Sequence, residues 1–204
     1  MFESLFRKWN RKNLLDSKYE WLFDSYAGDE FVVFDTETTG LNTKKDAILS
    51  IGAVKIRGNK ILTSQSFELF LKPSEEISVQ SIKIHHIRPC DLEYAVEPLE
   101  AARAFLEFIG NRPLIGYYLE FDMAMINRLI KSWIGVTLPN KQIEVSGLYF
   151  DKKIALIPQG NIDLRFDTIL QDLKIPRMGQ HNALNDAIMT AMIYIKLQQP
   201  FKLH

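Results

Sequence analysis

Short apolar runs separated by turn residues dominate the first part of the chain and predict a β-sheet. Residues 31–34 form a branched and aromatic run that ends in Asp35, which is typical of a buried strand. Residues 47–56 and 61–71 repeat the strand pattern, and residues 57–60 between them have turn chemistry. We therefore expect three consecutive antiparallel strands.

After Pro73 the apolar residues recur at helical spacing, and helices begin to alternate with a strand. Pro139, Gly147, Pro158 and Gly160 interrupt mixed apolar runs in residues 134–163, so we assign no firm structure there. An antiparallel meander followed by alternating strands and helices predicts an α/β fold, a mixed sheet covered by helices. The predicted elements are helices over 79–87, 94–109, 119–133, 164–173 and 183–197, with a strand over 113–116.

Residues 1–30 carry aromatic and leucine side chains among charges at roughly helical spacing, so we expect one or two amphipathic helices. They form a predicted N-terminal extension, and residues 31–204 form the main domain. Two interpretations stay open for the extension. It packs on the main domain, or the basic cluster at residues 7–12 binds a protein partner or nucleic acid.

Composition narrows the class of protein. A chain of 204 residues with 47% hydrophobic and 25% charged residues suits one globular domain. We expect no membrane span and no signal peptide, because long apolar stretches are absent and residues 7–12 are basic. Cys90 is the single cysteine, which leaves no intrachain disulfide or cysteine zinc cluster. A cytoplasmic location is the expectation.

Charge bears on nucleic-acid binding. Lys plus Arg and Asp plus Glu both number 25, so the chain lacks the basic excess of a nucleic-acid coat protein. Binding would have to be local. An enzyme that grips only the end of a strand touches few phosphates, so neutrality favours end processing over a scaffold.

Asp35 and Glu37 are the most informative residues. Strand side chains alternate, so these two carboxylates emerge on the same face, where they repel each other. A divalent cation would balance them, and Mg²⁺ and Mn²⁺ prefer carboxylate oxygens. The alternative is two solvated acids at the end of a strand.

A second set of polar residues lies further along the chain. Asp122 opens a predicted helix, where a carboxylate also interacts favourably with the helix dipole. His181 and Asp186 are five residues apart, about 140° around a helix, so they would not share a ligand side by side. We place His181 on the loop before the helix, where it takes a proton from water while Asp186 holds a metal. Taken singly, each residue has an ordinary surface interpretation.

Three motifs in order resemble those of the DEDD exonucleases of the His subtype, the DnaQ-like family of the proofreading epsilon subunit of bacterial DNA polymerase III. The similarity runs from about residue 31 to residue 197. Residues 84–87 also resemble the family's Val-His-Gly-Ile segment, with His86 in the place of the glycine. The motifs are Asp35-Thr-Glu37-Thr-Thr-Gly-Leu41, Phe121-Asp122 and His181-x-Ala-x-x-Asp186.

The resemblance implies a ribonuclease H-like fold with a mixed five-stranded sheet. It also implies two Mg²⁺ or Mn²⁺ ions, with His181 as the general base of a two-metal hydrolysis that releases nucleoside 5′-monophosphates. Thr38, Thr39 and Leu41 would line the slot for the terminal nucleotide. The implied metal ligands are Asp35, Glu37, Asp122 and Asp186.

The chain departs from the family in its second motif, where Tyr117 and Tyr118 replace the usual His-Asn pair. Either a tyrosine stacks on a base, with Tyr118 the candidate, or both rings pack under the site. His85 is a structural residue or a substrate contact. Five basic residues are candidate phosphate contacts, although most surface cations only interact with water. They are Lys83, Arg88, Arg165, Lys174 and Arg177.

The leading hypothesis is a 3′→5′ exonuclease acting on single-stranded or frayed DNA ends. The alternatives are an RNA-trimming relative that resembles ribonuclease T or oligoribonuclease, and a nucleic-acid-binding protein without catalysis. A proofreading subunit is a third hypothesis, for which we expect no C-terminal docking tail, because only seven residues follow Leu197. Residues 1–30 would then serve a protein partner. Many members of the family are homodimers, and a homodimer stays open.

Overall fold

A mixed five-stranded sheet forms the centre of the molecule. The computed structural model describes residues 10–74, 77, 79–156, 160–179 and 181–199, apart from the side chains of residues 79, 80 and 84. The strand order is β3-β2-β1-β4-β5. Strands β1, β2 and β3 are antiparallel, whereas β4 is parallel to β1 and β5 is parallel to β4. The strands are β1 (Glu30–Thr38), β2 (Ile48–Arg57), β3 (Lys60–Phe70), β4 (Leu114–Gly116) and β5 (Gln142–Glu144).

Six α-helices and two 3-10 helices with defined bounds accompany the sheet in the described part of the chain, where residues 10–12 are also helical. In the residues that the structure describes, no helix is both long and apolar enough to span a membrane. The 3-10 helices are Ser17–Phe23 and Pro89–Leu92. The α-helices are α1 (Val79–His85), α2 (Pro98–Ile109), α3 (Leu119–Ile134), α4 (Val145–Leu156), α5 (Phe166–Asp172) and α6 (Ala183–Gln198).

The predicted mixed sheet is confirmed, and the predicted start of one helix is wrong. Helix α2 begins at Pro98 rather than at residue 94, because Val96 exchanges backbone hydrogen bonds with Phe70 and Lys72. Residues 134–163, left without assignment, contain β5 and α4. Helix α4 buries only Val145 and Tyr149, which explains why its apolar residues show no clear helical period.

The two faces of β1 face different halves of the core. Val32 and Phe34 pack in a cluster with apolar residues of α2 and α3. Val33, which points the other way, packs in a second cluster with residues of α4, α5 and α6. Strand β1 is therefore covered on both sides, and every side chain in its middle is buried.

The N-terminal segment packs on the main domain over the part that the structure describes. Tyr19, Leu22 and Phe23 belong to the same cluster as α2 and α3. The ring of Tyr19 meets that of Trp133 edge to face, with 4.7 Å between centroids. Residues 1–9 lie outside the described part, and with them half of the basic cluster for which partner or nucleic-acid binding was considered.

Gly52 sets how closely α6 approaches the sheet. It lies in β2 opposite Asp35 of β1. A Cβ atom added to Gly52 would lie 2.0 Å from the backbone nitrogen of Leu184, in the first turn of α6. That distance is far below van der Waals contact, so only glycine lets the helix start directly on the strand.

We expect Gly52→Ala to destabilise the fold by about 1–3 kcal/mol, because the helix must move to admit the methyl group. Urea denaturation measures the change. The control is Gly147→Ala in α4, where an added Cβ comes no closer than 4.0 Å to Glu144 and removes a helix-interior glycine. That variant should be neutral or more stable by up to about 1 kcal/mol. Equal stability of the two variants would contradict the packing argument.

Candidate active site

Three carboxylates meet at the end of β1. Asp35 and Glu37 project from the same face of the strand, as predicted, and Asp186 joins them from the first turn of α6. Each of the three offers an oxygen, and these oxygens all lie within 4.8 Å of one another. The close approach of α6 at Gly52 brings Asp186 to this place.

Asp122 reaches the same end of β1 from the opposite side of the sheet. It lies in the first turn of α3 and is 4% exposed. Its Oδ1 accepts hydrogen bonds from the backbone nitrogen of Thr36, at 3.0 Å, and from Thr36 Oγ1, at 2.5 Å. Thr36 points away from Asp35 and Glu37 because strand side chains alternate. The fourth acid therefore borders the group of three.

Burial raises the pKa of all four acids, and mutual repulsion raises the pKa of Asp35 and Glu37 further. Burial raises the pKa of Asp35 well above its ordinary value, and the charges of Asp122, Asp186 and Glu37 raise it further. Burial and then Asp186 and Asp122 raise the pKa of Glu37 to about 8. Burial raises the pKa of Asp122 to about 7 and that of Asp186 to about 6. The cluster holds more negative charge than its surroundings balance, which is the setting a divalent cation fits.

His181 lies on the loop before α6, where the sequence placed it. Its backbone is left-handed, with φ of 50°, and Asn182 caps the helix that follows. It lines a pocket of about 240 Å³ together with Asp35 and Asp186. Burial, then the charges of His86 and Arg177, lower the pKa of His181. The imidazole is therefore neutral near pH 7 and able to accept a proton.

His86 and His85 lie across a second pocket from the same histidine. This pocket, of about 440 Å³, is also lined by His181. The rings of His86 and His181 are 6.1 Å apart between centroids, and His86 has φ of 56°, a conformation that glycine adopts more easily. His85 is buried, with Nδ1 accepting from the nitrogen of Ile87 at 3.0 Å and Nε2 2.7 Å from Ser81 Oγ. A contact between His85 and substrate stays a prediction, and both ring nitrogens already have hydrogen-bond partners.

The loop after β1 is held by its own threonines. Thr38 Oγ1 donates to the carbonyl of Gly40 at 2.8 Å, and Thr39 Oγ1 accepts from the nitrogen of Ala47 at 2.9 Å. Arg128 of α3 donates to the carbonyls of Thr43 and Asp46, which ties the loop to that helix. Leu41 is 82% exposed at the tip of the loop.

The two tyrosines of the second motif have opposite environments. Tyr117 packs on Phe166, with 4.8 Å between ring centroids, and its hydroxyl donates to the carbonyl of Leu164 at 3.0 Å. Tyr118 is 68% exposed, so the interpretation that both rings pack under the site is wrong for this residue. Its ring lies nearly parallel to that of Phe121, with 6.4 Å between the centroids and 15° between the ring planes. Its backbone is left-handed, with φ of 55°.

Three residues that position the acids were not singled out from the sequence. Thr36 stands between two of the acids, but nothing in the sequence shows that it binds Asp122. Gly52 lies in an apolar strand, where a lone glycine indicates that another part of the chain packs closely on the strand but does not identify that part. Glu144, at the end of β5, accepts the nitrogen of Leu119 at 2.8 Å and so fixes the start of α3. Its own strand was missed, and with it the contact.

The predicted phosphate contacts differ in their present partners. Arg88 pairs with Asp91, Arg165 with Asp163 and Arg177 with Asp167. Lys83 and Lys174 are exposed. Only Arg165 and Arg177 line the pocket that holds Asp35 and Asp186.

A mixed sheet of this order, with an acid cluster at the end of its first strand, is a ribonuclease H-like fold. The chain belongs to the exonuclease family, because the family model described as an exonuclease matches residues 32–194. The resemblance seen in the sequence motifs is confirmed.

Curated relatives include DNA polymerases III of the PolC type. The chain is 34% identical over 172 residues to that of Caldanaerobacter subterraneus, with 82% of this chain and 11% of the relative covered. It is 31% identical over 180 residues to that of Thermotoga maritima, with 88% and 13% covered. The chain therefore spans about an eighth or less of the length of these relatives.

Solved exonuclease structures share the fold. Exonuclease I of E. coli, in complex with a dT13 oligonucleotide, superposes with a TM-score of 0.67 at 16% identity, covering 82% of this chain and 40% of that one. Cell-death related nuclease 4 superposes with a TM-score of 0.69 at 14% identity, covering 83% of this chain and 64% of that one.

The raised pKa of Glu37 makes stability depend on pH. A folded-state pKa of about 8, against an ordinary 4.5, gives stability that is present below about pH 4.5 and lost as the pH rises to 8. In EDTA we expect Glu37→Gln to be more stable than the wild type at pH 8, by at least about 1 kcal/mol. The gap should close near pH 4, as measured by urea denaturation.

The control for the loss of one carboxylate is Glu107→Gln, on the exposed side of α2. It should change stability little and equally at both pH values. Mn²⁺ at pH 8 should stabilise the wild type more than Glu37→Gln. A wild type that is the more stable protein at pH 8 in EDTA would show that the cluster is not repulsive.

Proposed function

We propose that this chain is a 3′→5′ exonuclease that releases nucleoside 5′-monophosphates from single-stranded or frayed DNA ends. The observation that carries the proposal is the group of Asp35, Glu37 and Asp186 oxygens within 4.8 Å, beside His181 in one pocket. Membership in the exonuclease family supports the reaction class. The acids, the histidine and the pocket together supply what phosphodiester hydrolysis requires.

The four acids are the proposed metal ligands. Asp35, Glu37 and Asp186 form the group that best suits a shared cation, and Asp122 borders it. Two Mg²⁺ or Mn²⁺ ions bound there would activate the attacking water and stabilise the leaving 3′ oxygen. Asp122 keeps one oxygen on Thr36, so its contribution would come through the other oxygen. Until a cation is bound, the raised pKa values disfavour full ionisation.

His181 is the proposed general base. Its lowered pKa keeps the ring neutral at the pH where the reaction would run. It lines the pocket with Asp35 and Asp186 but comes from the loop, so it can take a proton from water without serving as a ligand.

The terminal nucleotide is proposed to lie against the loop after β1 and the second pocket. Thr38 and Thr39 shape that loop through their hydroxyls, and Leu41 projects from it. His85 and Tyr118 complete the proposed substrate contacts. Thr38 and Thr39 would act mainly through backbone placement, because their hydroxyls already hold the loop.

DNA is the proposed substrate because of the relatives. The names of the curated relatives are those of DNA polymerases III, and the neighbouring exonuclease I binds a dT13 oligonucleotide. A proofreading or DNA-repair role in the cytoplasm follows as part of the proposal. Residues 1–30 as a surface for a protein partner, and a homodimer, remain proposals without a structural argument.

The first experiment is degradation of a 5′-labelled single-stranded DNA oligomer with Mg²⁺, Mn²⁺ or EDTA. We expect a metal-dependent ladder that shortens from the 3′ end. His181→Ala should slow the reaction by about 10²- to 10⁴-fold, the usual contribution of a general base. Asp35→Ala should abolish it.

The matched control for Asp35→Ala is Glu107→Ala, which removes a carboxylate on the exposed side of α2. It should retain most of the rate. If a matched RNA oligomer is cleaved faster than the DNA oligomer, RNA replaces DNA as the proposed substrate. Metal-dependent activity that survives Asp35→Ala would end the catalytic assignment, and inactivity on both strands would favour a binding protein.

Tyr118 offers a test of base stacking. If it supports a base, Tyr118→Asn should raise KM by about 5- to 150-fold, since one stack is worth about 1–3 kcal/mol. The same change should stabilise the folded protein slightly, because asparagine tolerates the left-handed backbone better than tyrosine. Kinetics and urea denaturation separate the two effects. A more stable variant with an unchanged KM would exclude a substrate role for the ring.

A further inference from the structure

The pocket that contains Asp35 and Asp186 is lined by residues that the proposed nucleotide slot does not use. Tyr117 and Phe166, whose rings pack against each other, are two of them. Two arginines, 165 and 177, line the same pocket. The second pocket, with His85 and His86, is also lined by His181. His181 thus belongs to both pockets, which are called here the two compartments of the cleft.

Arg165 is fixed by its own loop. Its guanidinium contacts both oxygens of Asp163, at 2.5 to 3.1 Å, and its backbone nitrogen donates to the same carboxylate. Thr168 Oγ1 donates to Asp163 as well. The pKa of Asp163 is held well below its ordinary value by these contacts, Arg165 first. Arg165 already has a well-matched anion, and its side chain is 83% exposed.

Arg177 is placed differently. It forms an ion pair with Asp167, whose side chain is 71% exposed, while that of Arg177 is 32% exposed. Arg177 lines the same pocket as Asp186 and His181, so its guanidinium lies beside the proposed path of the strand. An ion pair with a largely solvated carboxylate contributes little, and a phosphate can replace that carboxylate at low cost.

We propose that Arg177 binds the phosphodiester group on the 5′ side of the scissile bond, exchanging Asp167 for that phosphate when a strand enters. The inference rests on the proposed function. With the terminal nucleotide in the compartment of His85 and the scissile phosphate at the acids, the strand must continue past His181 into the other compartment. Arg177 is the cation of that compartment whose partner is exposed, and the Tyr117–Phe166 pair gives it an apolar wall.

Two substrates test the proposal. An oligothymidylate has a phosphate 5′ to the scissile bond, whereas thymidine 5′-(4-nitrophenyl) phosphate has the scissile phosphate alone. We expect Arg177→Ala to raise KM for the oligomer about tenfold, as expected for loss of one charge-assisted contact, with kcat little changed. The nitrophenyl ester should be cleaved with wild-type KM and kcat. Arg177→Lys should recover part of the loss.

A neutral linkage locates the contact. Replacing the first phosphate 5′ to the scissile bond with a methylphosphonate should raise the wild-type KM by a similar factor, about tenfold, and leave Arg177→Ala unaffected. Asp167→Asn should lower KM, because it releases the arginine. The control is Arg103→Ala. Arg103 is an exposed residue of α2 whose guanidinium lies over the ring of Trp133 in α3. This variant should match the wild type on every substrate.

The possible results separate the two proposals. A wild type that cleaves neither substrate contradicts the proposed exonuclease function itself. If Arg177→Ala raises KM equally for both substrates, or for neither, the 5′ phosphate assignment is wrong while the exonuclease function stands. A KM that rises in Asp167→Asn shows that the ion pair holds Arg177 in its working position and overturns the exchange.

Discussion

Repulsion among buried carboxylates at the end of β1 is the constraint on which the rest of the site depends. Strand β1 is covered on both faces, so the carboxylates of Asp35 and Glu37 project side by side from a strand shielded from water. Asp186 then arrives from one face and Asp122 from the other. Each added acid raises the free energy of the charged cluster unless a cation binds. The fold holds them together by packing, through Gly52 beneath α6 and Thr36 beside α3.

The sequence was sufficient for those parts of the site that follow from local rules. Alternation along a strand placed Asp35 and Glu37 on one face, and helix geometry put His181 on a loop ahead of Asp186. The meander and the mixed sheet followed from turn residues and periodicity. Asp122 required more, because its approach depends on a threonine that faces the other way and on Glu144 of a strand three residues long. Such contacts join residues far apart in sequence, and no local pattern encodes them.

The tyrosine pair shows how one residue step changes a role. Tyr117 ends the strand-to-helix turn facing inward, where its hydroxyl reaches a carbonyl and its ring meets Phe166. Tyr118 occupies the next position in a left-handed conformation and faces solvent. Replacement of a His-Asn pair by two aromatic residues therefore adds one partly buried ring against the core and one exposed ring. Composition alone made the two residues look equivalent.

The position of α6 also determines when one face of the sheet becomes covered during synthesis. Strands β1 and β2 emerge early, but the face that carries Val33, Val54 and Ile56 is covered largely by a helix that begins at residue 183. A ribosome-bound chain that stops before this helix exposes an apolar sheet face and lacks the third acid of the cluster. Docking of α6 therefore shields the sheet and completes the group of three carboxylates in a single step. The nascent chain lacks this group while that face of the sheet is still exposed.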